Sequence, residues 1–215
     1  MVTGHTGFKG SWLSTWLCML GAKVVGYSME PEVDTCYTTP SHFVELGLRD
    51  QIVHIENDVR RLDDVKATID SHEPDFIFHL AAQPLVLRAF DAPYLTIETN
   101  VIGTLNLLEA VRIRRKPCIL IMITTDKVYE NVGWVYSYRE SDPLGGHDPY
   151  SASKACAEHV ISSYWRSFFA PTDEKLGEFM VAVAPVRGGN VIGGGDWAKN
   201  RIVPDAMRAL AAGEP

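Results

Sequence analysis

No run of about 18 apolar residues occurs in this sequence, so nothing in it reads as a membrane-spanning helix. It also lacks a basic opening followed by a hydrophobic stretch, the pattern of a secretory signal. Cysteine is scarce: the 215 residues hold four, Cys18, Cys36, Cys118 and Cys156, none in Cys-x-x-Cys spacing. That leaves neither a disulfide framework nor a zinc knuckle, and a reduced, cytoplasmic setting is the expectation. The seven histidines show no grouping such as His-Glu-x-x-His, so no metal site is expected. Positive charge is in deficit as well. Lys and Arg number 20 against 27 Asp and Glu, and a net charge of -7 is the wrong sign for nonspecific attraction to nucleic acid or an anionic membrane. Internal repeats and low-complexity tracts are missing too.

What is present is an alternation of short apolar runs with longer helical patterns, the signature of an α/β fold in which helices cover a parallel sheet. Strands are expected at Lys23 to Tyr27, Ile52 to Ile55, Phe76 to Leu80, Ile119 to Thr124 and Phe179 to Pro185. Helical spacing links Trp12, Leu13, Trp16, Leu17 and Leu20, and again Val101, Leu105, Leu108 and Val111. Asp148-Pro149 supplies an N-cap and a first-turn proline for a helix carrying Val160, Ile161, Tyr164, Trp165 and Phe168. Pro31 to Ser41 and Pro171 to Gly177 read as loops. After Arg187 glycines crowd as far as Gly195, which suggests a division into a sheet domain over 1–185 and the start of a substrate-covering region over 186–215. Only Met1, Val2 and Thr3 precede the first glycine turn, and the chain stops at Gly213-Glu214-Pro215, so truncation at both ends is expected.

That turn is Gly4-His5-Thr6-Gly7-Phe8-Lys9-Gly10, directly before a helical pattern. Glycines there permit a tight turn and a close approach of backbone to a pyrophosphate, which the helix N-terminus attracts. A helix-entry turn is the plainer alternative, and the alternating strands and helices behind it favour a dinucleotide. Val25 to Glu30 carries no basic residue for a 2′-phosphate, which favours NAD over NADP, although no acid is plainly placed for the ribose. Asp58-Val59 could meet an adenine edge, or Asp58 could be a helix N-cap. Leu80-Ala81-Ala82-Gln83 offers room for a ribose or nicotinamide at the carboxyl edge of a sheet, and His79 before it reads equally well as a core histidine.

Two segments carry chemistry. Thr124-Thr125-Asp126-Lys127 ends an apolar run, and Tyr150-Ser151-Ala152-Ser153-Lys154 opens a helix. Tyrosine four residues before lysine places both on one helix face, where the ammonium favours the phenolate. On its own this spacing occurs by chance on many helices.

The glycine turn, Thr125-Asp126 and Tyr150-x-x-x-Lys154 together resemble the extended short-chain dehydrogenase/reductase family, and the likeness extends over nearly the whole chain. Asp126-Lys127-Val128-Tyr129-Glu130-Asn131 and Gly189-Asn190-Val191-Ile192-Gly193-Gly194-Gly195-Asp196-Trp197 are most similar to its sugar-nucleotide dehydratases. The resemblance implies a Rossmann-type doubly wound sheet with bound NAD, and oxidation at C4 of CDP-glucose, loss of water across C5 and C6, and return of the hydride to C6. The product would serve cell-surface polysaccharide.

In that scheme Tyr150 is the base at the 4-hydroxyl, Lys154 holds the ribose, Thr125 bonds the 4-oxygen and Asp126 protonates the departing 6-hydroxyl. Most relatives pair Asp with Glu where this chain has Asp126-Lys127, an arrangement of the CDP-glucose branch. Lys127 is then either the C5 base or a salt-bridging or phosphate lysine. The resemblance further implies cofactor contacts by Gly4, Thr6, Gly7, Phe8, Lys9, Gly10, Asp58, Val59, Leu80, Ala81, Ala82, Gln83, Asn100 and Thr124, besides Tyr150 and Lys154. Substrate contacts fall to Gln83, Arg88, Asn190 and Arg201. It implies a homodimer or larger assembly built on helices near Tyr94 to Arg115 and Pro149 to Phe169. A 4-epimerase of the same fold and an inactive dinucleotide-binding protein are the competing readings.

Overall fold

The computed structural model describes residues 1–31, 40–170 and 180–213. The loop expected from Pro171 to Gly177, most of the one from Pro31 to Ser41, Cys36 and the start of the strand placed at Phe179 lie outside the described residues. In chain order the elements are β1 (Val2–Thr3), α1 (Phe8–Met19), β2 (Val25–Ser28), α2 (His42–Glu45), β3 (Val53–Glu56), α3 (Leu62–His72), β4 (Phe76–His79), α4 (Val86–Asp91), α5 (Pro93–Ile97), α6 (Gly103–Arg114), β5 (Cys118–Thr125), α7 (Pro149–Tyr164), β6 (Val181–Gly188) and α8 (Ile202–Ala212). This is the Rossmann-type α/β alternation read from the sequence, with strand ends displaced by at most three residues. None of the described helices is long and apolar enough to cross a membrane.

The chain divides into two units, Val2–Asn57 with Asn190–Pro215, and Met1 with Asp58–Gly189. In the first, β1, β2 and β3 pair in parallel, with Gly26 aligned to Val2 on one side and His54 on the other. In the second, β5 lies between β4 and β6, again parallel, with Thr124 opposite Arg187 and Thr125 opposite Gly188. The core of this second unit includes Ile77, Leu107, Leu108, Val111, Leu120 and Met122, all without solvent exposure. Each such side chain contributes about 1.5–3 kcal/mol by leaving water.

Helix α7 starts as the sequence requires. Pro149 takes the first turn, and the Asp148 carboxylate accepts from the amides of Tyr150 and Ser151 at 2.9 and 3.0 Å. A cap of this kind contributes about 1 kcal/mol and fixes the first turn, which holds Tyr150.

Helix α1 corrects the sequence reading. Its apolar spacing located the helix but not its inner face, because Trp12, Trp16 and Leu20 are exposed while Phe8, Gly10, Ser11 and Ser14 are buried. Small residues face inward where the helix approaches the glycine turn closely. Within the same unit the Trp12 indole stacks on His42 and donates to the Gly194 carbonyl at 2.9 Å, so part of the outer face carries a polar role.

Candidate active site

In the first unit the glycine turn is built for close backbone approach. Gly4 has φ +72°, a conformation that favours glycine, and its amide bonds the Tyr27 carbonyl at 2.9 Å. A Cβ on Gly10 would strike the Gly4 carbonyl. Gly7 is the N-cap of α1 and offers no side chain to the first amides, so those donors are available to an anion. This arrangement fits a dinucleotide pyrophosphate. Thr6 is turned inward, its hydroxyl bonded to the Ser28 hydroxyl at 2.8 Å and the Met29 carbonyl at 2.9 Å. Phe8 is buried, and burial, then the Arg201 charge, lowers the proton affinity of Lys9.

Glu30 lies two residues beyond β2. It is ion-paired with Arg49 and lies 3.1 Å from His54, whose ring meets His5 at 2.7 Å. Arg201 is the N-cap residue of α8 and pairs with Asp196 at 3.3 Å, and Asn190 is exposed.

The second unit holds the chemical groups. Thr125 ends β5, with its hydroxyl 3.0 Å from an Asp126 carboxylate oxygen and accepting from the Lys127 amide at 3.4 Å. The Lys127 ammonium lies 3.4 Å from the same carboxylate, and both side chains are about half exposed. Helix α7 packs on β5 and on the short turn Asp126–Val128. It presents Tyr150 and Lys154 on its buried face, and the Lys154 ammonium donates to the Ile123 carbonyl at 3.4 Å. Asp126-Lys127 and the Tyr150-Lys154 couple therefore lie in one unit, on a turn and a helix that pack together.

Other expected contacts hold this cluster in place. Asn100 donates to Ser153 at 2.8 Å and to the Gln83 carbonyl at 3.1 Å, and Ser153 donates to the Tyr150 carbonyl at 2.7 Å. The Gln83 amide bonds Thr96 at 2.9 Å and the backbone of Leu85. Leu80, Ala81 and Ala82 are half-buried after β4, and Arg88 is half-buried on α4.

Asp58 is not the cap of α3, a position held by Arg61. Its carboxylate is gripped by Arg60 at 2.5 and 2.8 Å, and these bonds outweigh burial and hold it below the usual range. Val59 is buried, and its carbonyl accepts from Asn106 at 3.0 Å.

Ser153, Glu158 and Arg187 were not singled out from sequence. Ser153 lies inside the Tyr-x-x-x-Lys spacing itself, and Glu158, one turn beyond Lys154, is an acid on a buried helix face. His79 is a core histidine bonded to Thr104 at 3.1 Å.

Burial, then the Lys154 charge, lowers the His79 pKa to about 3, and burial, then His54, lowers that of His5 to about 4. From pH 6.5 down to those values the unfolded chain holds more protons, so stability rises with pH and is lost on acidification. Each histidine adds a slope of up to about 1.4 kcal/mol per pH unit. Urea unfolding is expected to show a lower midpoint at about pH 4.5 than at pH 6.5, with a smaller drop for His79→Gln. An identical drop in that variant would remove His79 as a contributor.

The model of the family described as GDP-mannose 4,6 dehydratase matches residues 1–173. The CDP-glucose 4,6-dehydratase of Salmonella typhimurium is 47% identical over 209 residues, covering 97% of this chain and 56% of that protein. The chain spans about half the length of the curated relatives it matches, from 50% to 56% among the first three. Among solved structures, a dTDP-glucose 4,6-dehydratase from Streptomyces venezuelae with NAD bound superimposes with a TM-score of 0.78 at 24% identity, over 99% of this chain and 62% of that one, a likeness of fold. The UDP-glucose 4-epimerase of Thermus thermophilus in complex with NAD has a TM-score of 0.73 at 26% identity, over 100% and 63%.

Proposed function

The chain belongs to the GDP-mannose 4,6-dehydratase family, and on that premise we propose that it serves the NAD-dependent dehydration of CDP-glucose to the 4-keto-6-deoxy sugar nucleotide, a hydro-lyase reaction in the cytoplasm. The observation that carries this reading is the packing of α7, which bears Tyr150 and Lys154, on the turn after β5 that bears Asp126 and Lys127, with Lys154 bonded to the Ile123 carbonyl of β5. The first pair has no use in simple epimerisation, whereas elimination of water needs an acid and a base. The relative at 47% identity supports the choice of substrate, and the uncapped glycine turn supports the choice of a dinucleotide.

The residues divide the work as follows. Tyr150 takes the proton of the sugar 4-hydroxyl, and Lys154 favours its phenolate and holds the ribose. Thr125 donates a hydrogen bond to the 4-oxygen as it becomes a carbonyl. The new ketone acidifies the C5 hydrogen, which Lys127 removes once its ammonium proton has passed to the Asp126 carboxylate 3.4 Å away. Asp126 gives its proton to the 6-hydroxyl, which departs as water. Bound NAD would supply the hydride acceptor at C4 and return the hydride at C6 while Lys127 gives its proton back to C5, leaving no net redox change.

The glycine turn with Thr6, Phe8 and Lys9 serves the cofactor pyrophosphate. Asp58, Val59, Leu80, Ala81, Ala82, Gln83, Asn100 and Thr124 shape the remainder of its site, and Gln83, Arg88, Asn190 and Arg201 meet the substrate. Arginine suits a diphosphate because it offers two parallel donors. A homodimer is part of the proposal, since Tyr94, Ile97, Ile102, Trp165 and Phe168 leave apolar surface exposed on the helices expected to pair.

Incubation of the protein with CDP-glucose and NAD tests this directly. A 4-keto product is expected, and epimerised sugar with no ketone would replace the dehydratase reading by the epimerase one.

A further inference from the structure

Five side chains, from Thr124 on β5 to Tyr138 in the loop that follows it, form a continuous series inside the second unit. The Thr124 hydroxyl donates to Glu158 at 2.6 Å, and Glu158 is almost fully buried on α7. Arg187, on β6, grips the same carboxylate through Nε at 2.8 Å and Nη2 at 2.5 Å, and donates through Nη1 to the Glu140 carbonyl at 3.0 Å. Its guanidinium lies 4.8 Å from the centre of the Tyr129 ring, which stacks on Tyr138 at 5.1 Å.

Thr124 and Tyr129 bracket Asp126 and Lys127 in the sequence, one immediately before Thr125 and the other two residues after Lys127. A single ion pair, with Glu158 buried and Arg187 partly so, therefore anchors both ends of the stretch that carries the proposed acid and base. Glu158 also stands one turn beyond Lys154 on the same helix, so the pair that anchors residues 124 and 129 also sets where Tyr150 and Lys154 lie relative to them. Exposed side chains such as Asp126 and Lys127 have few packing contacts of their own to hold them, so their placement depends on the backbone at either end.

We propose that Glu158 and Arg187 are positioning residues for this reaction, holding the Asp126-Lys127 stretch in register with Tyr150 and Lys154 without touching substrate. The kinetic part of this inference rests on the dehydratase reading above. Misplacement of reacting groups by about 1 Å lowers turnover on the order of 100-fold.

The test uses the full chain with CDP-glucose and NAD. Glu158→Gln is expected to lower kcat about 100-fold while KM for CDP-glucose stays within about threefold, the pattern of lost transition-state alignment rather than lost binding. Glu158→Met combined with Arg187→Met replaces the pair by apolar side chains of similar length, so its thermal midpoint is expected to return close to that of the parent protein. Its kcat is expected to stay low. Turnover recovering together with stability in that double variant would overturn the proposal.

Amide hydrogen exchange supplies a measurement that needs no substrate. Residues 124–129 are expected to exchange faster in both variants, and unchanged protection there would also overturn it. Should the parent protein make no ketone, the dehydratase reading fails, and exchange still decides whether the ion pair holds this stretch.

Discussion

Tyr150→Phe is expected to abolish measurable ketone formation from CDP-glucose, lowering kcat by on the order of 10²–10⁴, the usual worth of a positioned acid-base group. The change removes one oxygen and little else. Tyr150 is buried in the first turn of α7, where Asp148 holds its amide and the following one, so phenylalanine keeps the helix start and the ring packing. Lys154 retains its bond to the Ile123 carbonyl, and the groups assigned to the cofactor pyrophosphate lie elsewhere in the chain. NAD binding, followed by equilibrium titration, is therefore expected to persist. Turnover within about tenfold of the parent protein would remove Tyr150 from the role of base at the 4-hydroxyl.

Lys127→Met is expected to separate two steps that Tyr150→Phe stops together. Methionine keeps most of the apolar stem of lysine and deletes the ammonium that lies 3.4 Å from Asp126. On the proposed division of roles oxidation at C4 depends on Tyr150 and Lys154, so transient reduction of NAD in a single turnover should slow only a few-fold. Release to solvent of deuterium placed at C5 should slow by on the order of 10²-fold, because that proton loses its acceptor. Equal slowing of both steps would show that Lys127 is not the C5 base and would favour a salt-bridging or phosphate-binding lysine in its place.

The legible part of this fold was the local part. Asp148-Pro149 announced α7 because capping depends on residues two or three apart, and the observed bonds to the Tyr150 and Ser151 amides follow. The runs behind β4 and β5 were visible because parallel strands buried by helices read as nearly continuous apolar sequence. Helix α1 shows where such reading stops. Its periodicity revealed a helix, but the buried face is the one with Gly10, which comes close to the Gly4 carbonyl, and with Ser11 and Ser14, leaving Trp16 and Leu20 exposed. Glu30 was legible only as the end of a stretch without a basic residue, for a related reason. It lies past the end of β2, and its meaning comes from Arg49 and His54, 19 and 24 residues away.

By itself the sequence determined the alternation of strands with helices, the glycine turn and the sharing of one helix face by Tyr150 and Lys154, since a spacing of four residues on a 3.6-residue period needs no knowledge of the rest of the chain. Tertiary structure alone decided what stands around them. Glu158 meets Thr124 across 34 residues and Arg187 across 29, and Lys154 reaches Ile123 across 31. Such partners are chosen when α7 packs on β5 and β6 pairs beside it, because a buried charge persists only where the fold brings its counter-charge and hydrogen bonds to it.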